Sequence, residues 1–157
     1  MKTLLLLSAL LCQDKPFPEG DPRPAIEAAK KKAAAENRRV LILAGANNSE
    51  TCRAAAQALK KDKQVAKLIL YEYDVVLYQV KFEPGADGDR LEPWMILMDA
   101  EGKELSASQP PVESKALIEL LKKHQAPPWK AQDVLDAAKK KAAAEKKRVL
   151  LTFGAPW

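Results

Sequence analysis

RVLILAGANNSETC, residues 39–52, decides the architecture. Its first half is a short apolar run, residues 40–44, closed by Gly45. Such a run reads as a buried strand. Asn47-Asn48-Ser49 is turn text, because short amide and hydroxyl side chains bond nearby backbone. Asn48 or Ser49 is then placed to cap the free N–H groups of a helix. Residues 49–61, SETCRAAAQALKK, continue that helix.

Upstream, residues 25–37 read AIEAAKKKAAAEN. Alanine and lysine favour helix strongly, and Pro24 suits its first turn. Ile26, Ala29 and Ala33 form a narrow apolar face. Before it, residues 13–24 hold four prolines and one glycine. This Pro-rich stretch predicts an extended linker with no packed element. Downstream, residues 71–80 predict a second strand, rich in branched and aromatic residues. Residues 81–93 predict a loop. Residues 94–99 and 103–108 predict two strands joined as a hairpin around Gly102. Residues 112–125 predict a last helix, with Leu117, Leu120 and Leu121 on one face. The order α-β-α-β-β-β-α implies an α/β fold: a mixed central sheet flanked by helices on both faces.

The chain is 47% hydrophobic and 30% charged, the balance of a globular protein. Its net charge of +5 sits in runs such as Lys30-Lys31-Lys32, inside Ala-rich helical text. That is a solvated helix face. No aromatics are interleaved with these lysines, so no stacking platform for bases is expected, and nucleic acid is not an expected partner. One histidine and two distant cysteines cannot build a metal cluster. Gly85 and Gly88 lie beside acids that would repel phosphate. No cofactor is expected.

Residues 1–12 resemble a short export signal, with Lys2 followed by an apolar run over residues 4–11. That run is far too short to span a bilayer. A periplasmic or secreted location is the expectation, against the alternative of an ordinary apolar N-terminus. Cys12 raises a lipid anchor, but Leu11 stands where the bacterial lipobox prefers a small residue. Removal of the signal with Cys12 would leave Cys52 alone, without an internal disulfide partner.

Beyond Ala126-Pro127-Pro128 the text repeats. AAKKKAAAE at 28–36 recurs without a mismatch at 137–145, an offset of 109 positions. At the same offset Arg39-Val40-Leu41 meets Arg148-Val149-Leu150, and Gly45-Ala46 meets Gly154-Ala155. Low complexity explains the Ala/Lys block but not the shared strand and Gly-Ala. The spacing predicts tandem domains: one over 25–126, and over 129–157 the N-terminal fragment of a second, too small for a core of its own.

A strand running into FGAPW, residues 153–157, resembles the approach of the thioredoxin family to its Cys-x-x-Cys motif. The first cysteine would fall at position 158, whose counterpart in the first copy is Ser49. Ser49-Glu50-Thr51-Cys52 is then a degenerate motif, Ser-x-x-Cys. The resemblance also implies a cis-proline at Pro93 beside the substrate groove, and matches Asp99-Ala100-Glu101-Gly102-Lys103 to the family's hairpin. It covers residues 25–126 as a whole domain and 129–157 as a fragment.

Dithiol chemistry needs a thiolate at the helix N-terminus and a second thiol one turn later to resolve the mixed disulfide. Serine is not meaningfully ionised at neutral pH, and the sole histidine, His124, is not nearby in sequence. Cys52 takes the resolving position, which the family usually shields. It is open to two roles, a shielded structural residue or a monothiol that forms mixed disulfides. Related redox domains often carry a buried acid six residues before the first cysteine. Here that position is Leu43, with Thr152 in the second copy. Glu92 would place negative charge near the site and disfavour a thiolate. Ser49 also has a plain role as helix cap. Asn47-x-Ser49 matches a glycosylation sequon at a helix start, and Trp94 and Trp129 read as packing residues.

The function expected is that of an exported relative of thiol–disulfide oxidoreductases whose first domain is inactive as a dithiol enzyme. Activity is expected in a completed second copy. The alternative is a non-catalytic binding module. Expected partners are protein thiols or disulfides, or a protein client held beside Pro93.

Overall fold

The computed structural model describes residues 15–80 and 91–151. They divide into two units, one ending at Ala126 and one beginning at Pro127. The first unit runs α1 (Arg23–Glu36), β1 (Arg39–Gly45), α2 (Glu50–Lys61), α3 (Lys63–Glu72), β2 (Tyr73–Gln79), β3 (Trp94–Met98), β4 (Glu104–Ser108) and α4 (Ser114–Lys123). The second holds α5 (Ala131–Ala144).

Four strands form one sheet in the order β2-β1-β3-β4. β1 pairs parallel with β2 and antiparallel with β3, and β3 pairs antiparallel with β4. The sheet is therefore mixed, as the element order implies. β1 is central, and every residue from Val40 to Gly45 is buried. Leu41 and Leu43 join one core with Cys52, Val65, Tyr73, Leu117 and Leu121, under α2, α3 and α4. Val40 and Ile42 join a second core with Ala33 and Val76, under α1. Helices thus cover both faces. Alternation along β1 assigns its side chains to the two cores in turn.

α1 takes its expected face: Ala33 is buried, and Ile26 and Ala29 pack against the same core. It ends at Asn37, whose φ of 54° is left-handed. The Arg38 N–H returns to the Ala33 carbonyl at 2.9 Å. That is a Schellman closure, which satisfies a carbonyl left orphaned at the helix end. The hairpin turns at Gly102, φ 92°.

Trp94 and Trp129, read as packing residues, are exposed, and the structure corrects the sequence reading at three further places. First, residues 63–72 form a helix, α3, where an apolar run leading into a strand from residue 71 is expected. The Asp62 carboxylate accepts from Gln64 and Val65 N–H at 2.8 and 3.2 Å. Val65, Leu68 and Ile69 face the core at helical spacing. At the other end, the Arg38 guanidinium donates to the carbonyls of Ile69 and Leu70, at 3.1 and 3.0 Å, and of Tyr73. Cap, seam and cationic clamp outweigh the β propensity of the run. Arg38 also pairs with the buried Asp74 carboxylate at 3.2 Å, beside Lys32 at 2.8 Å.

Second, the Pro-rich stretch is not wholly an unpacked lead-in. Phe17 is buried in the core of α2, α3 and α4. Its backbone is clipped to Asn47: Phe17 N–H donates to Asn47 Oδ1 at 3.1 Å, and Asn47 Nδ2 donates to the Phe17 carbonyl at 2.8 Å. Gln79 N–H reaches the Pro18 carbonyl at 3.0 Å. The ring lies where a Cβ on Gly45 would sit 2.6 Å from it, so glycine is needed there for the close approach. A single large aromatic between prolines outweighs the extended bias of its neighbours by the apolar area it buries.

Third, among the described residues no peptide bond is cis, so the Glu92–Pro93 bond is trans. Trans is the lower-energy isomer of an X–Pro bond by about 0.5–1 kcal/mol. The preceding Leu91 carbonyl turns toward α2 without a cis bond.

In the second unit, none of α5 is buried. Residues 147–151, the counterpart of β1's start, are not in a strand. Among the described residues no helix is long and apolar enough to cross a membrane.

Candidate functional site

The Ser-x-x-Cys segment opens α2 at the carboxyl end of β1. Ser49 is the N-cap, with extended backbone at φ −82°, ψ 128°. Its Oγ accepts from Cys52 N–H at 3.3 Å. Both Ser49 and Cys52 are fully buried.

A backbone carbonyl closes this turn from the opposite side. Leu91 O accepts from Ser49 Oγ at 2.7 Å, from Thr51 Oγ1 at 3.1 Å and from Cys52 Sγ at 3.3 Å. Ser49 and Thr51 also lie in hydrogen-bond contact with each other at 2.9 Å. Three side chains from one helical turn therefore converge on one oxygen. It lies two residues before Pro93, which is itself buried. The structure thus brings Ser49 and Cys52 together and sets the segment leading to Pro93 against them.

Among the described residues, the side chains of Ser49 and Cys52 are hydrogen-bonded to Thr51, to the Leu91 carbonyl and to the backbone of their own turn, and to no basic side chain. The Cys52 sulfur donates to the Leu91 carbonyl at 3.3 Å. Ser49 spends its hydroxyl hydrogen on Leu91 and a lone pair on the Cys52 amide. Leu43, at the position where an acid is often found, lies in the same apolar core as Cys52. Glu92 is exposed. Burial pushes the hydroxyl of Tyr73 well above the ordinary tyrosine range. That hydroxyl is committed to the Leu121 carbonyl at 2.6 Å and is no acid–base group for Cys52. His124 stays at the end of α4, where burial first, and then Lys123 and Arg39, hold it below the usual histidine range.

Sequence reasoning missed Leu91 and Thr51. A backbone acceptor has no residue type of its own, so nothing in the text of residue 91 announces it. Thr51 is the variable second x of the motif. The first ten residues of the loop predicted over 81–93 lie outside the described residues, as do FGAPW and the export-like segment.

The mixed sheet, its strand order and the helices on both faces define a thioredoxin-like α/β fold. No protein-family model matches the chain, and no curated protein does. A solved structure described as a disulphide isomerase from Xylella fastidiosa Temecula1 is similar to it, with a TM-score of 0.54 and 17% sequence identity. The match covers 66% of this chain and 91% of that one. A likeness at this identity establishes the fold.

Proposed function

We propose that this chain is a non-dithiol member of the thiol–disulfide oxidoreductase kind. Its first domain keeps the architecture of such a protein without its redox turnover. One observation carries this: the Leu91 carbonyl takes up all three polar side chains of the motif turn, including the only thiol there. A Ser-x-x-Cys site has no attacking thiolate, and the resolving sulfur is shielded. Export is part of the proposal, supported by the sequence of residues 1–12. So is a tandem arrangement, in which dithiol activity belongs to a completed second copy.

The repeat has local structural support. α5 ends like α1, at the 109-residue offset. Lys146 is left-handed at φ 51°, as Asn37 is at 54°. Lys147 N–H returns to the Ala142 carbonyl at 2.8 Å, as Arg38 does to Ala33. The ion pair Arg38–Glu36 recurs as Lys147–Glu145.

The test is insulin reduction with dithiothreitol as electron donor, using the chain as it stands and its Ser49→Cys variant. No turnover above background is expected from the unaltered chain. Ser49→Cys is expected to form a dithiothreitol-reducible disulfide with Cys52, seen as a two-dalton mass shift on reduction. Catalysis by the unaltered chain would refute the proposal. Failure of the introduced thiol to bond with Cys52 would show that the turn no longer has the geometry of a dithiol motif. The binding-module alternative predicts that a client protein is retained at the Pro93–Trp94 strand equally by the chain and by its Cys52→Ala variant, since no covalent capture is involved.

A further inference from the structure

The first unit has a groove of about 1180 Å³ on the far side of the motif turn. It lies outside the carboxyl ends of the two parallel strands. Asn47, just past β1, and Gln79, at the end of β2, line it. That is the end of an open α/β sheet where ligands bind. One wall is α2. The other is the N-terminal segment, held in place by the Phe17–Asn47 clip and the bond from Gln79 to Pro18. Ser49, Cys52 and Pro93 do not line it, so the groove is independent of the fate of the thiol.

Its charge is one-sided. Lys15, Arg53 and Lys60 line it against a single carboxylate, Glu19. Among the described residues Lys15 and Lys60 have no carboxylate partner, and the Arg53 guanidinium donates to the Asn47 carbonyl at 2.6 Å. Arg53 and Lys60 are seven residues apart on α2, two turns along one face, so about 10 Å separates their positions. In a polyproline-type extended peptide, side chains three residues apart share an edge and lie about 9 Å apart. Cations whose positions are about 10 Å apart match an extended anionic chain better than a single small anion.

We propose that this groove binds an extended acidic peptide segment. Acidic side chains spaced by three would lie against Arg53 and Lys60, with Lys15 across the groove. Such a contact is steered by charge and falls with salt.

The test is fluorescence anisotropy with a labelled peptide of four Glu-Pro-Pro repeats, the full chain and low-salt buffer. Saturable binding is expected, weakened at least tenfold by Arg53→Glu/Lys60→Glu and by raising salt to 0.3 M. Because Arg53 also holds the Asn47 loop, Lys15→Glu/Lys60→Glu serves as a second variant that leaves it in place. It is expected to weaken binding to a similar degree, with an unchanged melting temperature. The control Lys31→Glu/Lys115→Glu alters the net charge equally at two residues of the first unit that do not line the groove, and is expected to bind within twofold of the parent. No saturable binding would overturn the proposal. So would equal loss in the control, which would mean bulk charge attraction. Displacement of the peptide by millimolar inorganic phosphate would assign the groove to small anions instead, and overturn it as a peptide site.

Discussion

Residues 28–42 and 137–151 are nearly one text in two surroundings. Both make a helix, and both close it with a left-handed residue and the same backbone bond. They part at the next step. Val40, Leu41 and Ile42 are 0%, 0% and 2% exposed in the centre of a sheet. Val149, Leu150 and Leu151 are 37%, 87% and 54% exposed and form no strand. Helix and cap are satisfied by bonds within the segment. A strand is not, since its backbone groups need a neighbouring chain and its side chains need a second layer. Local text therefore gives the same structure in both segments as far as local bonding reaches, and no further.

The comparison can be broken most forcefully at Phe17. Phe17 belongs to the core that buries β1, and residues 137–151 have no such core around them, so Phe17→Ala weakens the surroundings of the first segment alone. Loss of a buried aromatic costs about 3–5 kcal/mol. Urea unfolding followed by circular dichroism should show that drop, and a loss under ~1 kcal/mol would mean that the N-terminal segment is dispensable. The paired truncations come next. Leu41→Ala should destabilise by about 2–5 kcal/mol. Leu150→Ala should stay within about 0.5 kcal/mol, the range of an exposed site. Equal effects would erase the distinction between the two surroundings.

The smallest effect is at the helix starts. α3 begins at Asp62, whose carboxylate caps two N–H groups, whereas α5 begins at Lys130 with no side-chain cap. The bonds from Val65 and then Gln64 hold Asp62 below the ordinary aspartate range. A depressed carboxylate contributes stability above its unfolded value, near pH 4, and loses it as pH falls through the lower folded value. Asp62→Asn should therefore flatten a small part of the acid-side decline in melting temperature below pH 4. An unchanged profile would show that the cap does not contribute.

Much of the fold was legible because its signals are local. The apolar run of β1, the Ser49 cap, the Gly102 turn and the leucine face of α4 each declare themselves within a few residues. α3 was not legible. Its residues, Leu68 to Tyr71 above all, favour either state, and the Arg38 clamp that fixes its end comes from about thirty positions upstream. Phe17 was hidden by its prolines for the same reason, since the pocket that receives it is formed by Gly45 and the motif helix. At the site, the side chains were legible and their acceptor was not. Ser49 and Cys52 can be read from spacing, whereas the Leu91 carbonyl becomes an acceptor for them only when residues forty positions apart meet.

The shielding of Cys52 makes it a built-in clock for the opening of its own domain. A thiol reagent cannot reach a fully buried sulfur, so labelling waits for the Leu91 segment and the first turn of α2 to separate. When reclosing is faster than labelling, the rate reads the free energy of that opening. Mass analysis of the Cys52 peptide distinguishes it from Cys12. The buried sulfur then reports how firmly the fold holds together around it.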